Sequence, residues 1–522
     1  MVGRVLLLAG VLISVVSLQG TAELQNVEVG GSIEVFAGWY SEFFEVNPVP
    51  RYPAVFLPGR PIGPNGTLSI IRSDGGGNGV TFVEQRTRLH VDAGFTDDVK
   101  AFIEVDAIDD WGTDFRSNYV TGADTRGVTN DDVEVFQAYV EANDVLGAPL
   151  RLRVGRQEIT LGSGWLVGSN PNANPFTGLS FDAVRLTYAA DKYSLDAWWA
   201  KLLERSPLEG DGDVDFYGVY VTWTPVEDVA FDAYWMYVRD AAAIEDQNLS
   251  LLGEWMERRV GLDDYGVTGL HTIGFRNAGT RAAFDWEVEV AYQFGNADAA
   301  GALFTSPFLP LGALAYGDDH ASWDSWGGHF EVGYTFEAVW QPRVYLAGYY
   351  YDGEDNRGLS FWDWLNPFHK PDASISFNRL FSDHEIDWFL CTSALTNSWE
   401  LAGGVSVTPV EKLELTFDVT YQEIVAPFDY PPYFEVGPWR IPVLPGLSFW
   451  TEEGDDDLGW QTSLTLSYAY TEEVSFEAGW THFFVGEGLK DGAFIDENGL
   501  TFLGGRGDHD ADFVRSYVVI EF

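Results

Sequence analysis

The chain has 522 residues, with 30 Lys plus Arg against 80 Asp plus Glu, a formal net charge of −50 and one cysteine. Cys391 has no second cysteine, so no disulfide framework forms within the chain, and the acidic balance argues against nucleic-acid binding, which needs basic side chains to displace counterions from phosphates. A chain with 46% hydrophobic residues, 15% aromatic, does not stay disordered in water.

The first residues read as an address. Arg4 precedes the largely apolar run Val5 to Val16, then Ser17-Leu18-Gln19-Gly20-Thr21-Ala22 and an acidic switch at Glu23. A short charged start, an apolar core too short to span a bilayer with ease and small residues at a cleavage position predict a signal peptide over 1–22 and a mature chain of 23–522. The alternative, an anchor helix, lacks a stop-transfer flank. No later segment offers eighteen uncharged apolar residues, so spanning by helices is not expected.

Beyond residue 26 the dominant period is two, that of a strand whose faces meet different surroundings. Leu413, Leu415, Phe417, Val419 and Tyr421 alternate without fault against Glu414, Thr416, Asp418, Thr420 and Gln422. Trp286, Val288, Val290, Tyr292 and Phe294 do the same, as do Trp460, Thr462, Leu464, Leu466 and Tyr468. In chain order the strands are predicted at 27–44, 79–96, 99–112, 133–144, 150–159, 181–190, 193–206, 213–225, 227–241, 265–279, 283–297, 329–339, 341–353, 396–409, 413–424, 458–471, 474–484 and 512–522. Many reach ten residues, enough to cross a bilayer at a tilt. Short connections such as Asp97-Asp98, Asp191-Lys192, Val410-Glu411-Lys412 and Glu472-Glu473 alternate with long gaps such as 45–78, 113–132, 242–264, 298–328, 354–395, 425–457 and 485–511.

An even strand number with short turns at one rim and long loops at the other predicts an all-β fold: a transmembrane antiparallel β-barrel of 18 strands, with long extracellular loops and short periplasmic turns. Closure is compulsory, because an open sheet edge in lipid leaves backbone groups unpaired. A soluble multidomain β protein is the alternative, but gives no reason for the loop rhythm. Phe522 ends the chain after Val514, Val518 and Ile520, similar to the assembly signal by which barrel-assembly machinery recognises outer-membrane barrels.

With the aromatic face toward lipid, the other face lines a lumen. It is expected to carry Arg86, Arg88, His90, Arg151, Arg153, Arg185, Arg343 and Arg515, balanced by Glu104, Asp106, Asp232, Glu287, Glu289, Glu331, Asp418 and Glu477. Two readings compete. In one, these residues pair into a hydrogen-bonded lining that holds water and stiffens the wall; in the other, clustered arginines form a basic stripe that selects an anion or a sugar acid.

The stretch Arg151-Leu152-Arg153-Val154-Gly155-Arg156-Gln157-Glu158-Ile159, then Gly162-Ser163-Gly164-Trp165-Leu166-Val167-Gly168, Asn174-Pro175-Phe176 and Phe181-Asp182-Ala183-Val184-Arg185-Leu186, resembles the hallmark block of the alginate-export family of outer-membrane porins. The resemblance implies an eighteen-stranded monomeric barrel passing an acidic polysaccharide or small organic solutes, with luminal Arg151, Arg153 and Arg185. It also places Arg156 and Gln157 on the upper part of their strand, with Asp182 ordering the loop before its own. The many acids at predicted luminal positions depart from the positive interior that a polyuronate duct needs.

In the long segment 354–395, Phe361, Trp362, Trp364, Leu365, Phe368 and Phe377 are too apolar to stay in water, and Trp362, Trp364 and Phe368 are expected to constrict the mouth. Asp211, Asp213 and Asp215 resemble part of a calcium loop but lack its closing glutamate, leaving a structural Ca²⁺ as the one cofactor candidate. Otherwise the acidic loops form a solvated surface that bridges lipopolysaccharide through divalent ions. The eight histidines show no compact metal or protease spacing. The sequence therefore predicts a non-enzymatic porin in the outer membrane of a Gram-negative-type bacterium, giving passive diffusion to small hydrophilic or anionic solutes. The alternatives are an exporter of an acidic polysaccharide, an outer-membrane hydrolase and a structural barrel.

Overall fold

Strands patterned this way satisfy their backbone groups only against neighbours, and in lipid the ladder has to close on itself. The computed structural model describes residues 24–41, 44–48, 69–73, 79–112, 133–169, 178–204, 213–241, 267–296, 322–353, 374–382, 388–389, 396–426, 429–430, 433–436, 439–442, 452–453, 455–490 and 509–522. The barrel strands are β1 (Asn26–Tyr40), β2 (Val80–Thr96), β3 (Val99–Asp110), β4 (Glu134–Ala142), β5 (Leu150–Gln157), β6 (Phe181–Ala190), β7 (Tyr193–Leu203), β8 (Val214–Val226) and β9 (Val229–Asp240). They continue as β10 (Thr268–Arg281), β11 (Phe284–Asn296), β12 (Ser322–Thr335), β13 (Arg343–Tyr351), β14 (Ser398–Val410), β15 (Leu413–Ile424), β16 (Asp457–Ala469), β17 (Val474–Val485) and β18 (Ala511–Glu521). Each pairs antiparallel with the next, and β1 pairs with β18 from Ser32↔Glu521 to Tyr40↔Phe513. The eighteen predicted strands are the eighteen of a closed barrel.

The gap rhythm also holds. Connections after even-numbered strands are turns, several of only two residues, at 97–98, 191–192, 227–228, 282–283 and 411–412. Those after odd-numbered strands are long, and both termini of the barrel lie on the turn side, as an outer-membrane barrel requires. One boundary differs markedly: the strand expected at 329–339 starts at Ser322 and ends at Thr335.

The outer face carries an apolar band including Leu89, Ile103, Val140, Ile273, Val288, Val332, Leu346, Leu401 and Leu464, all exposed. Aromatic girdles flank it: Trp39, Trp235, Trp326, Trp460 and Trp480 on the loop side, Phe284, Phe336, Trp340, Tyr470 and Phe476 on the turn side. Such rings place an apolar body in hydrocarbon and a polar tip at the headgroups. Tyr292 donates to Asp324 at 2.7 Å and Trp480 to Asp512 at 3.0 Å.

The inner face divides into two zones. Toward the loop side it is apolar, with Phe36, Trp198, Phe216, Tyr234, Val238, Trp323, Tyr351, Phe483 and Phe513 buried in one cluster. Toward the turn side it is charged. The loop-side strand halves thus carry a largely apolar inner face, with Gln293, Gln422 and Gln461 buried among the apolar residues, and such a face requires something packed against it from inside.

Candidate functional site: the barrel interior

The alternation that sends Leu89 and Ile103 outward sends Arg86, Arg88, His90, Glu104 and Asp106 inward, and the register sets acid against base. Arg88 lies opposite Asp106 and His90 opposite Glu104. Arg86 Nη2 donates to Asp106 Oδ2 at 2.7 Å with both side chains almost fully buried, and Arg88 reaches Glu104 at 3.4 Å and Glu158 at 3.5 Å. Gln137 Nε2 donates to Glu104 at 2.7 Å. His90 stacks on Phe102 and Phe102 on Tyr139, whose ring lies 4.2 Å beneath the Arg153 guanidinium carbon.

The same pattern runs round the wall. Arg153 donates to Glu141 at 2.6 Å and Arg185 to Asp196 at 2.9 Å. Arg276 bridges Asp232 at 2.8 Å and Glu287 at 2.9 Å, with Glu289 3.8 Å away. Arg343 binds Asp285 and Glu331 together, and Arg515 binds Glu477 at 3.2 Å. Arg151 instead donates to the Thr187 hydroxyl at 3.4 Å, and Asp418 lies opposite Ser463. Buried charges are tolerable only when matched in this way, so the inner wall presents matched dipoles rather than an unbroken basic stripe.

Two segments fold inward against the apolar zone. The first, residues 158–169 after β5, carries Gly162-Ser163-Gly164-Trp165, with Gly162 and Gly164 at φ of +58° and +84°, a conformation that suits glycine. A side chain at Gly162 would lie 3.0 Å from the Tyr220 hydroxyl and 3.1 Å from Arg276. Trp165 is 1% exposed, donates from Nε1 to the Tyr351 hydroxyl at 2.9 Å and stacks on Phe377. The second segment, 374–382 between β13 and β14, buries Phe377, Leu380 and Phe381. It runs parallel to β12 at Ser374 and Ile375, and exchanges backbone and side-chain bonds with Gln293 through Asn378 at 2.6 and 2.7 Å.

The segments join each other. Val167 and Phe381 form a parallel bridge, with Phe381 N donating to Leu166 O at 2.9 Å and Gly168 N to Phe381 O at 2.8 Å. Farther along the second connection, Trp388 lies 3.8 Å from the Arg515 guanidinium carbon and its backbone N–H donates to Gln461. Burial holds the half-buried Glu158 carboxyl above the usual carboxylate range, outweighing Arg88 beside it.

Trp362, Trp364 and Phe368 lie outside the described residues, as does Asp211; among the apolar residues of that loop, Phe377 packs inward. Asp213 and Asp215 both pair with Lys201, at 2.8 and 2.9 Å. Arg156 sits on the outer face in an exposed pair with Asp182 at 3.0 Å, while Gln157 points inward and donates to Ala183 O at 3.1 Å. Sequence reasoning passed over Arg276, Glu141, Asp196 and Asp285. Extending the phase set by Ile273 and Phe275 points to Arg276. The inward course of 158–169 had no periodic signal to reveal it.

Residues 71–499 match the family described as Alginate export. The chain belongs to that family. Alginate export membership agrees with the hallmark block at 151–186 and with the outer-membrane barrel seen here. No curated protein sequence matches the chain. Among solved structures it is similar to Pseudomonas aeruginosa OccK8 (OprE), with TM-score 0.49 and 10% identity over 95% of this chain and 98% of the other. Acinetobacter baumannii OccAB1 gives TM-score 0.48 and 10% identity over 95% and 96%.

Proposed function

We propose that this alginate export family barrel is an outer-membrane porin giving small hydrophilic solutes a passive path, with no covalent step. The paired inner wall carries this reading. Arginines 86, 88, 153, 185, 343 and 515 each hold a carboxylate, so the lining orders water and rejects no single charge class strongly. The two inward segments narrow the path on the loop side, and the precursor loses residues 1–22. The finished barrel works as a monomer among lipid and lipopolysaccharide, delivered through recognition of Phe522.

The test is single-channel recording of folded protein in planar bilayers under a salt gradient. The expected result is steady conductance with weak cation preference, because the carboxylates around Arg276 outnumber it. A strongly anion-selective pore would refute the paired-wall reading, and silence from folded protein would refute the open path. The second reading, export of an acidic polysaccharide, is favoured by the family match; block by an oligouronate but not by a neutral oligosaccharide of equal length would support it.

A further inference from the structure

We propose that Glu287, Glu289 and His329 form a binding site for a divalent first-row transition-metal ion inside the barrel. Register makes the site. Glu289 on β11 lies directly opposite His329 on β12, and Glu287 is two residues along the same inner face, so all three side chains project to one point of the hydrogen-bonded ladder. His329 Nε2 is 3.5 Å from Glu287 Oε1 and 3.5 Å from Glu289 Oε2, and the three donor atoms lie within 4.8 Å of one another.

Three further observations point to a cation. Glu289 is 4% exposed, its Oε1 accepts from the Tyr234 hydroxyl at 2.7 Å, and its buried Oε2, aimed at His329, has no hydrogen-bond donor among the described residues. Its nearest cationic atom, Arg276 Nε, is 3.8 Å away, beyond hydrogen-bond reach, and a buried carboxylate oxygen without a donor is costly. The local charge is also unbalanced: Asp232, Glu287 and Glu289 share one guanidinium, Arg276, while Arg343 is engaged by Asp285 and Glu331. Finally, the ligands are pre-oriented and reachable. The His329 ring is held between Trp165 and Tyr349, at 5.1 and 5.5 Å, and Glu287 and His329 line a cavity of about 570 Å³.

One imidazole nitrogen with two carboxylates suits Zn²⁺, Co²⁺ or Ni²⁺. Calcium wants six to eight oxygens and gains little from this set. The site requires only a folded barrel, so it stands or falls apart from whether the pore conducts.

The experiment is a Co²⁺ titration of the folded full-length barrel in detergent micelles, in excess Mg²⁺ to occupy surface carboxylates, read by visible absorption and followed by Zn²⁺ displacement. One equivalent of Co²⁺ is expected to give a saturable band that Zn²⁺ abolishes. Affinity is expected to fall on the order of a hundredfold in His329→Gln and in Glu289→Gln, with sheet content retained by circular dichroism. Absence of a band in the wild-type protein, or a band unchanged in a folded variant of either kind, overturns the proposal. If one variant does not fold, the other decides.

Discussion

Trp165 is the side chain on which docking of the inner segments most depends, and Trp165→Ala is the most direct perturbation of it. The indole is 1% exposed, gives its Nε1 hydrogen to Tyr351 and lies against Phe377 and His329. Truncating a buried tryptophan of this kind costs about 3–5 kcal/mol. Its partners on β12, β13 and the second segment are met only when residues 158–169 are docked, so nearly the whole loss falls on docking, shifting that equilibrium by about two to nearly four decades. The strand ladder is untouched, so the variant is expected to remain a folded barrel. In planar bilayers the expected change is a larger mean conductance with added fluctuation. Trp165→Phe, which keeps an aromatic ring but loses a hydrogen bond worth about 1 kcal/mol, should lie between the two. Traces from folded Trp165→Ala that match the wild type in size and noise would refute the reasoning.

Three other outcomes follow. Arg86→Ala strands the buried Asp106 carboxylate and should destabilise the barrel by about 3–5 kcal/mol in urea titrations, whereas Arg156→Ala removes only an exposed pair and should cost at most about 1 kcal/mol; equal losses would contradict the assigned faces. Cysteines replacing Val167 and Phe381, partners in the bridge between the segments, should cross-link on oxidation and quieten the conductance until reductant is added, provided Cys391 is first replaced by serine; conductance indifferent to the cross-link would show that the segments do not narrow the path. Because burial raises the Glu158 carboxyl, folding favours its neutral form: docking is strongest below the ordinary carboxylate range and weakens as pH rises through the raised value. Glu158→Gln should flatten that pH dependence of channel noise, and an unaltered profile would assign it elsewhere.

The barrel was legible because each strand meets two solvents, lipid outside and water or matched charge inside, and period two records the difference. That signal fades where the inside is not wet. Trp323 is buried beside the second inner segment while Trp326 faces outward, so residues 322–328, with a tryptophan on each face among Ser, Asp and Gly, show no apolar phase, and alternation becomes legible only seven residues into β12, at His329. Residues 158–169 fall within the family-like block at 151–186, yet nothing in Gly162-Ser163-Gly164-Trp165 says whether its tryptophan turns outward or down into the barrel. The pairing of Arg153 with Glu141 and of Arg185 with Asp196 was equally hidden, since it depends on register between strands, and single-strand alternation fixes a face without fixing a neighbour.

The seam between β1 and β18 bears on how the molecule comes into being. Its partners, such as Ser32 and Glu521, stand at opposite ends of the chain, so the contact that shuts the ring is the one of greatest sequence separation and cannot form until the final strand has been made. A chain that stops one strand short has two raw edges and no smaller ring that keeps this register. Synthesis and closure are therefore separated in time, and the unfinished polypeptide has to be sheltered from both lipid and other copies of itself until its last eleven strand residues arrive.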